Sequence, residues 1–210
     1  MQTPAHDALA LGSDGRHRCF WATGAPEYLT YHDEEWGRPV TTDDGFFERL
    51  CLEAFQSGLS WLTILRKRPA FRAAFAGFDP EVVARYGDDD VARLMSDASI
   101  VRNNAKIVAT IANARAIVAL HEQGRTLSEL FWSFAPEGAA TRARPDSWAD
   151  VPAQTDGSKA LARELKAAGF RFVGPVTAYA SMQACGLVDD HLASCLVVVE
   201  RTREVAGAAG

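Results

Sequence analysis

The sequence predicts an all-α protein, and three observations carry that reading. Apolar residues recur at helical spacing, as with Phe47, Leu50, Cys51, Ala54 and Phe55 inside the stretch from Phe46 to Leu65. Glycines stand where the periodic stretches stop, at Gly37, Gly58, Gly87, Gly124, Gly169 and Gly186, the position at which a left-handed residue closes a helix. No apolar/polar alternation runs long enough to require a sheet. At 210 residues with 48% hydrophobic content, the chain has the size of one domain with a proper core.

In order, Pro26 suits the first turn of a helix running to Trp36. Two helices flank Gly58, with Ser60 as N-cap of the second, and Pro69 is expected to bend or restart that one. Asp79 and Pro80 form a cap and first turn for a helix over 81–86, and Asp88 to Asp90 open a short one. Arg102 to Gln123 reads as a long amphipathic helix with Ile107, Ile111, Ala114 and Val118 on one face. Thr126 with Glu129 is a capping box. Residues 135–157, with three prolines, form the longest loop. Helices follow over Ser158–Ala168 and from Pro175 to Cys185, then a short helix or extended segment over His191–Val198. Residues 1–17 are expected to be a disordered extension, 18–198 a single helical domain, and 199–210 a flexible tail.

Composition narrows the function. No apolar run approaches the ~18 residues of a membrane span, and the first residues lack a basic start followed by an apolar stretch, so a cytoplasmic protein is expected. The net charge of −5 argues against a generic nucleic-acid binder, although Arg66, Lys67, Arg68 and Arg72 cluster. Four cysteines are too few and too scattered for a disulfide framework. Cys51 and Cys185 read as small buried hydrophobes.

Three places carry chemistry. Glu53 is a carboxylate in a run with almost no other charge. Either it lies on the wet face of a core helix, or it faces a pocket with Trp61, built for something flat and positively charged. The corner Met95–Ile107 sets helix-start amides beside Arg102 and Lys106, which is either a phosphate site or a plain connection. Cys19 and His32, spaced Cys-x12-His, and His191 and Cys195, spaced His-x3-Cys, could close a tetrahedral zinc site across about 160 residues, far wider than the usual zinc spacing. Asp190 is a candidate to orient His191.

The chain resembles the 3-methyladenine DNA glycosylase I family of the helix-hairpin-helix glycosylases. The matching residues are Arg18–Trp21 (RCFW), Tyr31–Gly37 (YHDEEWG), Leu52–Glu53, Gln56, Gly58–Trp61 (GLSW), Phe78–Pro80, Ile100–Asn103, Lys106–Ile107, Asn113–Ala116, Phe131–Phe134 (FWSF), Ser158–Leu161, Gly169–Phe170, Phe172–Pro175 (FVGP), Met182–Gly186 (MQACG) and Asp190–His191. They cover about residues 18–195. The resemblance implies a helix-hairpin-helix glycosylase domain whose ends are joined by one structural zinc on Cys19, His32, His191 and Cys195. It implies a base-reading Glu53, the sole candidate for a catalytic role. It also implies a pocket of Trp61, Tyr28, Tyr31 and Trp21, and a DNA-gripping hairpin over Ile100–Lys106 with contacts from Arg102, Asn103, Asn104 and Lys106. The expected activity is hydrolysis of the N-glycosidic bond of 3-methyladenine, with 3-methylguanine a further candidate, flipped out of alkylated duplex DNA by a monomeric, monofunctional enzyme with no membrane partner. No Schiff-base lysine and no general base are assigned.

Four positions depart from the family pattern: Ala54–Phe55, Asn104–Ala105, Ser181 and Asp189. Phe55 and Ser181 bear on the pocket, and they support an alternative, a catalytically weak DNA-damage binder on the same scaffold. A zinc-stapled helical interaction module without DNA is the third class. The hairpin segment opposes it and the net charge favours it.

Overall fold

A computed structural model describes residues 9–138 and 142–197. Nine α-helices dominate the described residues: α1 Pro26–Glu34, α2 Asp43–Gln56, α3 Trp61–Ala74, α4 Pro80–Val83, α5 Asp88–Ser96, α6 Asn104–Glu122, α7 Leu127–Trp132, α8 Asp156–Ala167 and α9 Pro175–Ala184. The helix starts obey local chemistry. Thr42, Ser60, Asp79, Asn103, Thr126 and Thr155 each accept a backbone N–H of the first turn, which satisfies donors that a helix leaves unpaired.

The core is built around α2. Phe46, Phe47, Leu50, Cys51, Leu52 and Phe55 are essentially inaccessible, and α2 packs against α3, α6, α7 and α9. A second, smaller apolar cluster joins Cys19 to Leu192, Cys195 and Val197. A third holds Tyr31, Trp36 and Ala184. Trp21 and Trp148 pack against both small clusters.

Three expectations need correction. The extension is not wholly disordered: β1 Leu9–Leu11 pairs antiparallel with β2 His17–Cys19, with Leu9 opposite Cys19. The buried Arg18 fixes this hairpin by bonding Asp14 at its turn and Asp33 on α1, each at 2.8 Å. Three-residue strands are too short to show a period-2 signal. Residues 1–8 and 198–210 lie outside the described residues. Pro69 neither breaks nor restarts α3, which runs through it. One helical hydrogen bond is forgone, while buried Ile64 and Phe71 hold the two halves to one core. The segment after His191 forms turns through Val197 rather than a helix.

Gly186 ends α9 at φ 77°, a conformation that favours glycine. A Cβ there would lie 2.5 Å from the carbonyl carbon of Arg38. Val40 N–H donates to Cys185 and Gly37 N–H to Gln183 in the same place. That close approach seats the end of α9 against the strap after α1.

Candidate functional site

Against that seat lies a cavity of about 470 Å³. It is walled by Trp21, Tyr28, Tyr31, Trp36, Trp61 and Trp148, with Phe20, Glu53, Gln56 and Gln183 completing it. Tyr31 and Trp61 rings are 5.4 Å apart, Trp21 lies edge-on to Tyr28 at 6.0 Å, and Trp21 meets Trp36 at 5.2 Å. Such T-shaped and tilted contacts hold each ring in place and leave flat faces for a guest. The Tyr28 hydroxyl accepts from Leu62 N–H at 3.1 Å, so it helps cap α3 while its ring walls the cavity.

Glu53 reaches the cavity from α2. It has no hydrogen-bond or ion-pair partner among the described residues. Burial alone pushes its carboxyl up to about 8, because an apolar enclosure disfavours the charged form. Burial, and then the Glu53 charge, push the Tyr31 hydroxyl well above its ordinary range. An unpaired, half-buried acid facing aromatic rings is the arrangement that a cationic guest completes.

Behind the cavity stands an ion-pair lattice. Buried Arg68 on α3 grips Glu48 of α2 through two bonds of 2.8 and 3.0 Å, and Glu35 at the end of α1 at 2.7 Å. Arg72 adds a 2.6 Å bond to Glu48. Burial would raise the Glu48 carboxyl, but the Arg68 and Arg72 hydrogen bonds outweigh it and hold it at about 2. The lattice locks α1, with its two tyrosines, to the α3 that carries Trp61. It also spends the basic cluster. Arg68 faces inward, Arg72 reaches Glu48 from an exposed position, Arg66 pairs with Glu27 at 2.8 Å, and Lys67 donates to the carbonyls of Ala98 and Ser99.

Next to the cavity, Cys19, His32 and Cys195 converge, with ligand atoms within 4.8 Å of one another. His191 stands beside them: its ring centroid is 5.0 Å from that of His32, and its buried Nε2 has no partner. The Nδ1 atoms are held by carboxylates, His32 by Asp33 at 2.7 Å and His191 by Asp189 at 2.8 Å. Asp189, not Asp190, therefore orients His191; Asp190 accepts from Tyr179 and Gln183 instead. The Cys195 sulfur lies 3.4 Å from His32 Nε2; the neighbouring Cys19 and that imidazole hold its thiol below the ordinary range, while Cys19, beside it and buried, is pushed up.

The residues expected at the DNA hairpin separate. Arg102, Asn103 and Asn104 are exposed. Lys106 is buried and donates to Phe55 O at 2.9 Å and Ser57 O at 2.8 Å, so its ammonium caps α2 rather than facing solvent. The Asn103 side chain takes the Lys106 N–H, one of the amides a phosphate would use.

Phe55 and Ser181, which bear on the pocket in sequence, do not line it. Phe55 packs on Phe71 at 4.7 Å, fully buried, and the Ser181 hydroxyl bonds Thr177 O. Sequence reasoning missed Phe20, Trp36, Gln56, Trp148 and Gln183. Phe20, Trp36, Gln56 and Gln183 lie within the quoted motifs and could have been found there. Trp148 comes from the long loop and carries no local signal.

A family model described as methyladenine glycosylase matches residues 21–198. The chain is 45% identical over 179 residues to "DNA-3-methyladenine glycosylase 1" of Escherichia coli strain K12, covering 85% of this chain and 95% of that one. It is 42% identical over 178 residues to "DNA-3-methyladenine glycosylase" of Haemophilus influenzae, covering 85% and 96%. A solved structure of 3-methyladenine DNA glycosylase I from Staphylococcus aureus, concerned with 3-methyladenine recognition, superposes with a TM-score of 0.81 at 34% identity, covering 88% of this chain and 98% of that one.

Proposed function

The chain belongs to the methyladenine glycosylase family, and on that premise we propose that it is a monofunctional N-glycosylase that hydrolyses 3-methyladenine from alkylated duplex DNA. The observation that carries this reading is Glu53, an unpaired carboxylate in an aromatic cavity. Methylation at N3 makes the adenine cationic and hence already a good leaving group. What the protein must supply is recognition of the flipped base. Rings of Trp61 and Tyr31 stack on the cation, and Glu53 pairs with its charge and accepts from its exocyclic amine. The incoming cation favours ionisation of Glu53 and releases its proton. Neutral adenine provides no such compensation, which gives discrimination. Water then bonds to the sugar carbon and gives up a proton to solvent, as the base departs with the bonding electrons of the broken glycosidic bond and loses its positive charge.

Release of free base from N-methylated duplex DNA tests this. Wild type is expected to release 3-methyladenine, and Glu53→Gln to release it about a hundredfold more slowly, with unchanged fold. Equal rates would remove Glu53 from recognition. The alternative, a damage binder that does not cleave, loses its support because Phe55 and Ser181 lie outside the cavity.

Cys19, His32, His191 and Cys195 fit one zinc. Two thiols and two imidazoles are a tetrahedral donor set. The partnerless buried Nε2 of His191 is an acceptor in want of a Lewis acid, and the Asp33 and Asp189 bonds orient both rings for it. The ion would be structural, tying β2 and α1 to the segment after α9. Cys195→Ala is expected to lower zinc content from one per chain to none and to lower Tm; retention of one zinc would displace the assignment.

Two surface features support a DNA face. The exposed Arg102 to Asn104 turn starts α6, as the sequence proposes. The α8–α9 hairpin adds a second corner. Its Gly174 cap leaves the first amides of α9 without a side-chain partner, a ready phosphate site. Phe172 is 46% exposed at a left-handed φ of 56°, held there because Asn113 bonds both the N–H and the carbonyl of Arg171.

A further inference from the structure

Gln183, in the last turn of α9, lines the cavity. Its Nε2 donates to Asp190 Oδ2 at 2.8 Å. Asp190 is 1% exposed, takes the Tyr179 hydroxyl on the same oxygen at 2.6 Å, and has the Arg142 guanidinium 3.5 Å from the other. A carboxylate in that setting accepts and does not donate, so the amide must turn its NH2 toward Asp190. Oε1 is then the polar atom left over. It has no hydrogen-bond partner among the described residues and is not shut away from the cavity's solvent.

The same polarity recurs around the cavity. The Gln56 Nε2 is turned to Leu59 O at 3.1 Å, and Glu53 presents a carboxyl. No Lys, Arg or His side chain is among the lining residues. Among the amide and carboxyl groups of the lining the balance is toward acceptors, because each amide nitrogen is turned to a protein oxygen; the donors that remain include indole N–H groups, among them the partnerless Trp21 Nε1. Such a lining suits a guest that donates hydrogen bonds and carries positive charge.

We propose that Gln183 is a base-contacting acceptor that, with Glu53, selects a cationic, amine-bearing purine, and that Asp190 and Tyr179 are positioning residues that lock its oxygen inward. The proposal rests on the reading of the cavity as the site of the methylated base. A cationic purine withdraws electrons from its exocyclic amine, so the amine becomes a stronger donor than that of neutral adenine, and charge-assisted bonds to oxygen gain more than neutral ones.

Binding of two probes to the full chain tests it: the 3,9-dimethyladeninium cation and neutral 9-methyladenine. Wild type is expected to prefer the cation. Gln183→Met keeps the side-chain length and removes the acceptor; its preference should fall about tenfold, with the neutral probe bound within about twofold of wild type. Asp190→Asn, which lets the Gln183 amide flip, should show the same loss. A folded Gln183→Met with the wild-type preference overturns the proposal, while loss of preference in Glu53→Gln would leave the base-site reading standing. A wild type with no preference for the cation overturns both. One measurement needs no variant. The Gln183 side-chain carbonyl resonance of labelled wild-type protein should shift on adding the cation and not the neutral probe; no shift with the cation overturns the proposal.

Discussion

Glu48 and Glu53 sit little more than a turn apart on α2, and the two regions they serve could hardly differ more. Glu48 is 6% exposed and fully engaged, with Arg68 and Arg72 holding its carboxyl at about 2. Glu53 opens on an aromatic cavity with no partner, and burial lifts it to about 8. The same residue type on one helix is thus structural where its charge is answered inside the protein. It is functional where the charge is left for something from outside. The difference is not burial, which opposes ionisation in both, but whether a guanidinium lies within hydrogen-bond reach.

The comparison can be broken most severely at its structural end. Glu48→Gln strips Arg68 of its main counter-charge in a buried site. Breaking such a pair is expected to cost about 3–5 kcal/mol in denaturant unfolding at neutral pH; a loss below about 1 kcal/mol would mean that Glu35 suffices for Arg68. At the functional end the sign reverses. In the folded protein Glu53 keeps its proton up to about pH 8, whereas the unfolded chain loses it near the ordinary 4.5. Glu53 therefore lowers stability progressively as pH rises between those values. Glu53→Gln, which abolishes the titration, should be more stable than wild type above pH 8, by about 1–2 kcal/mol, with the gap closing below pH 4.5. Equal pH–stability curves for the two proteins would show that the carboxyl is better solvated than its enclosure suggests.

A third group sharpens the same point at the surface. His121 on α6 bonds Asp43 at 2.7 Å and meets Glu81 at 3.3 Å, and the Asp43 bond chiefly raises it above 6.5. Its contribution is fully present below pH 6.5 and lost as pH rises through the higher folded value. At a third exposed the effect is small. His121→Gln should flatten the stability curve across that window by about 0.5 kcal/mol; an unchanged curve would assign the pH dependence elsewhere.

Some of this was readable from residues and some was not. The helix ends were, because caps such as Ser60, Asp79, Thr126 and Gly124 act on backbone groups within four positions. The motif around Glu53 and Trp61 was recognisable, but whether Glu53 faces water or a pocket stayed open. Its surroundings come from Tyr31, Trp148 and Gln183, on three other segments. The basic cluster at Arg66–Arg72 reads in sequence as a free basic patch, whereas its arginines are paired with carboxylates and Arg68 is buried, since Glu27, Glu35 and Glu48 are remote in sequence from the arginines they answer. Lys106 misled for the same reason: its partners are the carbonyls of Phe55 and Ser57.

By itself, then, the sequence determined a mostly helical fold, its helix limits to within a few residues, and membership of a family through motifs spread over most of the chain, and missed the short β1–β2 hairpin. Tertiary structure alone decided which charges are paired. It set Glu48 against Arg68, left Glu53 open, moved the histidine-orienting role from Asp190 to Asp189, and gathered Cys19, His32 and Cys195. The physical reason is range. Capping and periodicity act over a few residues along the chain. Pairing, desolvation and cavity walls depend on distances of a few ångströms between segments that the sequence keeps far apart.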